Sequence, residues 1–125
     1  MTKEKPFDIK ERAFEFGVRI VRLVNTLPRT IAGVKVGNQL VKSGTSIGAN
    51  VEEADGAESK RDFIHKMSIA RKEARETRYW LRIVRATDLS KDTQEVSYLL
   101  QESDELVRIL SAIIRNTQKG MANGK

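Results

Sequence analysis

The sequence predicts an all-α protein: an antiparallel up-down-up-down four-helix bundle forming a single domain over residues 1–125. Three observations predict it. Apolar residues recur every three or four positions in four stretches, the period that places side chains on one face of a helix, and no stretch alternates as a half-buried strand does. The breaks between these stretches are short, so consecutive helices are antiparallel neighbours. Hydrophobic residues make up 39% of 125 positions, enough for one core, while two prolines give too few turn signals for a β-sandwich.

The first helix is expected over about 8–27. Ile9, Ala13, Phe16, Ile20, Leu23 and Leu27 share one face, and Pro28 forbids continuation. The second is expected over about 30–54, capped by Thr30, with Val36, Leu40, Ile47, Val51 and Ala54 as its apolar face. It carries Gly33, Gly37, Gly44 and Gly48. Each interior glycine costs about 1 kcal/mol relative to alanine, so a neighbouring helix is expected to approach closely there. Asp55-Gly56-Ala57 ends it. The third, about 60–87, opens with Ser59 and Asp62 in the spacing of a capping box. Phe63, Met67, Ala70, Ala74, Thr77, Leu81 and Val84 then keep a strict four-three repeat, the most regular seam in the chain. The fourth, about 92–117, opens with Asp92 and Glu95 and presents Val96, Leu99, Ser103, Leu106, Leu110 and Ile113. Residues 118–125 read as a flexible tail.

Composition removes several function classes. No apolar run approaches the roughly 20 residues that cross a bilayer, and Met1–Lys5 is charged with no apolar stretch behind it, unlike a secretion signal. The absence of cysteine removes disulfides, thiol chemistry and cysteine-bound zinc, and fits a reducing cytoplasm. A dinuclear metal bundle needs two Glu-x-x-His pairs, but the chain has one histidine, and its one carboxylate-x-x-His pair, Asp62 to His65, uses Asp. His65 therefore reads as a surface or boundary residue. No G-x-S-x-G elbow is present, and Thr45-Ser46-Ile47-Gly48 falls inside a helix rather than in a phosphate-cradling loop. The chain is thus expected to be no enzyme, with no cofactor and no metal site. The acidic group Glu52, Glu53, Asp55 and Glu58 at the end of the second helix opposes its macrodipole, so ion pairing to neighbouring arginines is expected.

The net charge of +6 lies in one segment. Ser59–Ala86 holds nine Lys or Arg against three Asp or Glu, while the rest of the chain holds fourteen of each. Such asymmetry points to a polyanionic partner. Within this segment Arg71, Arg75, Arg78, Arg82 and Arg85 repeat at four-three spacing, one residue displaced from the apolar seam, with Lys72 beside them. A stripe of this kind can track a phosphate backbone, each contact releasing counterions. It can equally cover the core with aliphatic stems and pair with carboxylates across an interface. Arg12, Arg19 and Arg22 on the first helix and Arg108, Arg115 and Lys119 on the fourth are candidates to widen the basic surface. Tyr79 and Trp80 lie among these arginines, where aromatics stack bases or anchor a boundary.

The run Gln39-Leu40-Val41-Lys42-Ser43-Gly44-Thr45-Ser46-Ile47-Gly48-Ala49-Asn50-Val51-Glu52-Glu53-Ala54 resembles the signature of the four-helix bundle proteins encoded in intervening sequences of bacterial 23S ribosomal RNA genes. Ser59–Phe63 and Glu76–Leu81 extend the match, which covers roughly residues 7 to 115. One departure is Ala54, where many members carry glycine. The resemblance implies a cytoplasmic bacterial bundle assembling into a homopentameric ring. It also implies kinship in fold with the accessory variability protein of diversity-generating retroelements, a basic ring that binds nucleic acid and a reverse transcriptase. It carries over no catalytic residue. Asn50, Glu53 and Glu76 match signature positions, and a buried polar network fixing helix register is expected of them.

Two functional readings follow. One is a homo-oligomeric module that binds RNA or DNA through Arg71, Lys72, Arg75, Arg78, Arg82 and Arg85, with Arg19, Arg22 and Arg115 contributing. The alternative is a protein-interaction scaffold whose arginines are used in subunit or partner contacts.

Overall fold

A computed structural model describes residues 8–124; the charged segment Met1–Lys5 lies outside the described residues. The described residues form four helices in order: α1 (Ile9–Val24), α2 (Ile31–Asp55), α3 (Lys60–Ala86) and α4 (Thr93–Gly124). Each start is set by an oxygen-bearing side chain that accepts from an otherwise orphaned backbone N–H. Asp8 accepts from Glu11 N–H, Thr30 from Gly33 N–H, Ser59 from Asp62 N–H and Asp92 from Glu95 N–H. The α3 end is closed by Asp88 at φ 55°, with Leu89 N–H donating to the Val84 carbonyl. That left-handed turn satisfies carbonyls the helix leaves open.

Neighbours pack α1 to α2, α2 to α3 and α3 to α4, and α4 closes against α1 with the sparsest seam. Cross-helix pairs show every neighbour to be antiparallel. Ser43 meets Thr77 and Glu53 meets Lys66 across α2/α3; Arg78 meets Asp104 and Arg71 meets Ser111 across α3/α4; Arg12 meets Glu102 and Arg19 meets Glu95 across α1/α4. The up-down-up-down order follows from these registers.

The apolar faces read from periodicity form the core. Phe16, Ile20, Leu40, Ile47, Leu81, Leu99, Leu106 and Leu110 are fully buried. Phe63, at the mouth of the α3 seam, is half-buried. On α4 the buried position after Leu110 is Ile114, with Ile113 half-buried. A straight helix advances 3.6 residues per turn, so a strict 3.5 repeat drifts off the core toward the end of a bundle.

The α2 glycines allow close approach to α1. A Cβ on Gly44 would lie 2.8 Å from Ile20 Cγ2, and one on Gly48 3.4 Å from the Ala13 backbone. Gly33, in the first turn of α2, faces the preceding loop instead, and a Cβ there would strike the Pro28 carbonyl.

Where a flexible tail is expected over 118–125, α4 runs on to Gly124, and Lys125 lies outside the described residues. Gln118, Lys119, Met121 and Ala122 are good helix formers, no proline intervenes, and Gly120 weakens a helix without ending it. The buried-network assignment for Asn50, Glu53 and Glu76 is also corrected. Asn50 donates to the carbonyl and hydroxyl of Ser46, one turn back on its own helix. Glu53 is exposed and pairs with Lys66 at 3.0 Å, and Glu76 is exposed and accepts from the Trp80 indole at 3.3 Å. Each lies one step outside the α2/α3 seam, where water competes for the polar group. The buried polar contact of that seam is Thr77 Oγ1 to Ser43 Oγ, 2.8 Å. No buried side-chain polar atom among the described residues lacks a partner.

No helix among the described residues is long and apolar enough to cross a membrane.

Candidate nucleic-acid interface

The four-three seam of α3 gives its following residues two different places. Where the next seam residue is four positions on, the residue just after the seam stays at its edge; where it is three positions on, that residue turns outward. The arginine stripe therefore divides. Arg71, Arg78 and Arg85 lie along the α3/α4 junction. Arg71 meets Ser111, Arg78 meets Asp104 and Arg85 shares a cleft with Ser97, each seven-residue step down one helix matching a seven-residue step up the other. Arg75 and Lys72 are exposed further from that junction, and Arg82 is exposed at its rim.

Their bonding differs accordingly. Arg71 is half-buried and donates to Ser111 Oγ at 3.2 Å, and Arg78 forms an ion pair with Asp104. None of the ion pairs among the described residues involves Lys72, Arg75, Arg82 or Arg85. Arg78, Arg82 and Arg85 line an open cleft of 540 Å³ with Ser97, Gln101 and Asp104. Arg115 lies one turn beyond Ser111 on the same flank of α4 and is exposed, as is Arg108, which reaches Glu105 at 3.4 Å. One broad face of the molecule, α3 with the facing flank of α4, thus carries uncompensated positive charge.

The structure does not bring Arg19 and Arg22 to this face. They lie on α1, on the far side of α4. Arg19 is engaged: its guanidinium makes two bonds to Glu95, 2.9 and 2.7 Å, and stacks 3.8 Å from the centre of the Tyr98 ring. Hydrogen bonding to Glu95 raises the Arg19 pKa, and the same bond holds the Glu95 carboxyl below its ordinary value. Arg22 is exposed beside a cleft of 590 Å³ between α1 and the start of α4.

Sequence reasoning missed the α1/α4 clamp, in which Arg12 makes the same fork to Glu102 at 3.0 and 2.8 Å. A signal was present: Arg12 and Arg19 are seven apart, as are Glu95 and Glu102, the spacing that matches two antiparallel helices. Of the acidic group at the end of α2, Glu52, Glu53 and Asp55 pair with lysines rather than the expected arginines. Lys10 lies 3.0 Å from Asp55 and 3.8 Å from Glu52, and Lys66 takes Glu53. His65 is exposed, and Trp80 is half-buried against the core. Among the described residues no group of three or more His, Cys, Asp or Glu is arranged to hold a metal ion.

A second surface stands out by its apolar character. On the outer side of α1 and α2, Phe14, Val34 and Ile31 are 61%, 50% and 87% exposed. Gly17, Val18, Gly48 and Ala49 floor a groove of 340 Å³ beside Phe14.

The model of the 23S rRNA-intervening sequence protein family matches residues 5–112. A solved structure from Bacteroides thetaiotaomicron, described as a protein of unknown function from the S23 ribosomal protein family, is 40% identical. The match covers 85% of this chain and 97% of that one, with a TM-score of 0.78. No curated protein matches the chain.

Proposed function

The chain belongs to the 23S rRNA-intervening sequence protein family, and from that premise we propose that it is a non-enzymatic, cytoplasmic, homo-oligomeric module that binds RNA or DNA through α3 and the facing flank of α4. One observation carries the reading. Lys72, Arg75, Arg82 and Arg85 are exposed on one broad face and enter no ion pair among the described residues. Charges brought together without carboxylate partners repel one another, and a polyanion relieves that repulsion while counterions are released. Arg78 and Arg71, already bonded within the chain, serve as the inner wall of this surface.

Binding of mixed-sequence RNA and DNA, measured by fluorescence anisotropy across a salt series, tests the reading. Affinity falls steeply with salt. Each of Arg75→Glu, Arg82→Glu and Arg85→Glu weakens binding and flattens the slope by about 0.7 to 0.9 for every phosphate no longer neutralised. Absence of binding at low ionic strength removes the proposal.

The apolar groove beside Phe14, between α1 and α2, supports the oligomeric part of the reading, since exposed apolar surface marks association sites. The assembly implied by the family resemblance is a ring of five. Light scattering measures its mass, and Phe14→Glu dissociates it if this surface lies between copies. The competing scaffold reading places Arg75 or Arg78 at subunit contacts; it requires that Arg75→Glu or Arg78→Glu break the assembly, and an intact mass in both variants discards it.

A further inference from the structure

We propose that the outer strip of α3 is a platform for single-stranded nucleic acid, with a base stacked on Tyr79 between phosphates held by Arg75 and Arg82. The inference deepens the nucleic-acid reading above and rests on it.

Arg75, Tyr79 and Arg82 occupy positions i, i+4 and i+7 of α3, one continuous line on the helix surface. All three are exposed, and the two arginine positions are separated by about 10 Å along the axis, with Tyr79 between them. Tyr79 leaves 52% of its surface in water, a large apolar exposure that contributes little to the core.

The ring has an aromatic neighbour. It meets Trp80 edge to face, with centroids 5.2 Å apart and planes at 76°. Trp80 is in turn packed against the core, and its indole N–H donates to Glu76. A tyrosine has only two rotatable side-chain angles, so it loses little freedom when a ligand covers it. Glu76 accepts from the Trp80 indole, and Asp104 is paired with Arg78.

This arrangement distinguishes strand types. Bases of a duplex are stacked on each other and unavailable to a convex helix surface, whereas an unpaired base can be splayed onto an aromatic ring. A duplex or an acidic polypeptide would use the arginines and leave the ring unused.

Anisotropy with labelled single-stranded oligoadenylate, and with the same strand annealed to oligouridylate, tests the proposal on the full chain. Tyr79→Ala weakens single-strand binding between about fivefold and a hundredfold, the range for one stacked base, and leaves duplex binding unaltered. Tyr79→Phe retains single-strand binding. Arg82→Glu weakens both. If Tyr79→Ala binds the single strand as the parent does, or loses both strand types equally, the platform is refuted while nucleic-acid binding stands. Competition by polyglutamate as effective as by the single strand also refutes it. Failure of the parent to bind either strand at low salt removes both readings. Circular dichroism of Tyr79→Ala controls for folding. Light scattering gives an unchanged mass; an altered mass assigns Tyr79 to a subunit contact and overturns the proposal.

Discussion

Replacing Gly44 by alanine sets two effects of known sign against each other. Within a helix, glycine to alanine is favourable by about 1 kcal/mol, because the backbone has less freedom to lose on folding. At Gly44 the added methyl would lie 2.8, 3.0 and 3.1 Å from Cγ2, Cγ1 and Cβ of Ile20. Ile20 is fully buried, and a β-branched side chain in a helix has essentially one rotamer, so it cannot turn aside. Helices α1 and α2 must separate instead, and overpacking of this kind costs about 1–3 kcal/mol. The net expectation is a loss of up to about 2 kcal/mol, taking these two magnitudes together. Gly120→Ala provides the opposite case, since nothing lies within 4 Å of its new Cβ, and it should gain up to about 1 kcal/mol. Urea unfolding followed by circular dichroism measures both, with m-values checked for constancy. Truncating buried Ile20 to alanine costs about 2–5 kcal/mol by itself, but it should cost less in the Gly44→Ala background than in the parent, a coupling that independent sites lack. If Gly44→Ala stabilises the protein as Gly120→Ala does, the close α1/α2 contact does not exist as described.

Three further outcomes follow from the structure. Thr77→Val leaves the Ser43 hydroxyl without its cross-helix partner and should cost about 1 kcal/mol, whereas Ser43→Ala with Thr77→Val should lie closer to the parent; strictly additive losses in denaturant titration would contradict this. Because Glu95 has its folded pKa held below the unfolded value by Arg19, its contribution is present above the ordinary carboxylate range and is lost as pH falls through the folded pKa. Glu95→Gln should therefore flatten the stability profile below about pH 4.5, by no more than about 1 kcal/mol for a partly exposed pair; an unchanged acid limb would exclude the linkage. Asp88→Gly relieves a left-handed conformation and should raise stability by about 0.5–1 kcal/mol in thermal unfolding, and a lower melting temperature would show that the aspartate side chain holds the turn.

The elements, their caps and the buried faces are legible in the order of the amino acids alone. These are local properties: a seven-residue apolar repeat from Phe63 to Val84 has one amphipathic solution, and Thr30, Ser59 and Asp92 can accept from N–H groups three residues on whatever the rest of the chain does. The end of α4 escaped because helix termination beyond the core depends on weak propensities, with no breaker to read. The tertiary structure alone decided how the arginines are used. Spacing put Arg71, Arg75, Arg78, Arg82 and Arg85 on one stripe, yet a step of four residues still turns about 40° around the axis. That turn is enough to leave Arg78 paired with Asp104 on α4, while Arg82, at the rim of the same cleft, is exposed and enters no ion pair among the described residues. Likewise Arg19 and Arg22 look alike in the sequence, and only the placement of α4 beside α1 turns the first into a clamp on Glu95. A charged side chain's role is set by which carboxylates lie within a few ångströms of it, and that distance is a property of helix packing rather than of helix period.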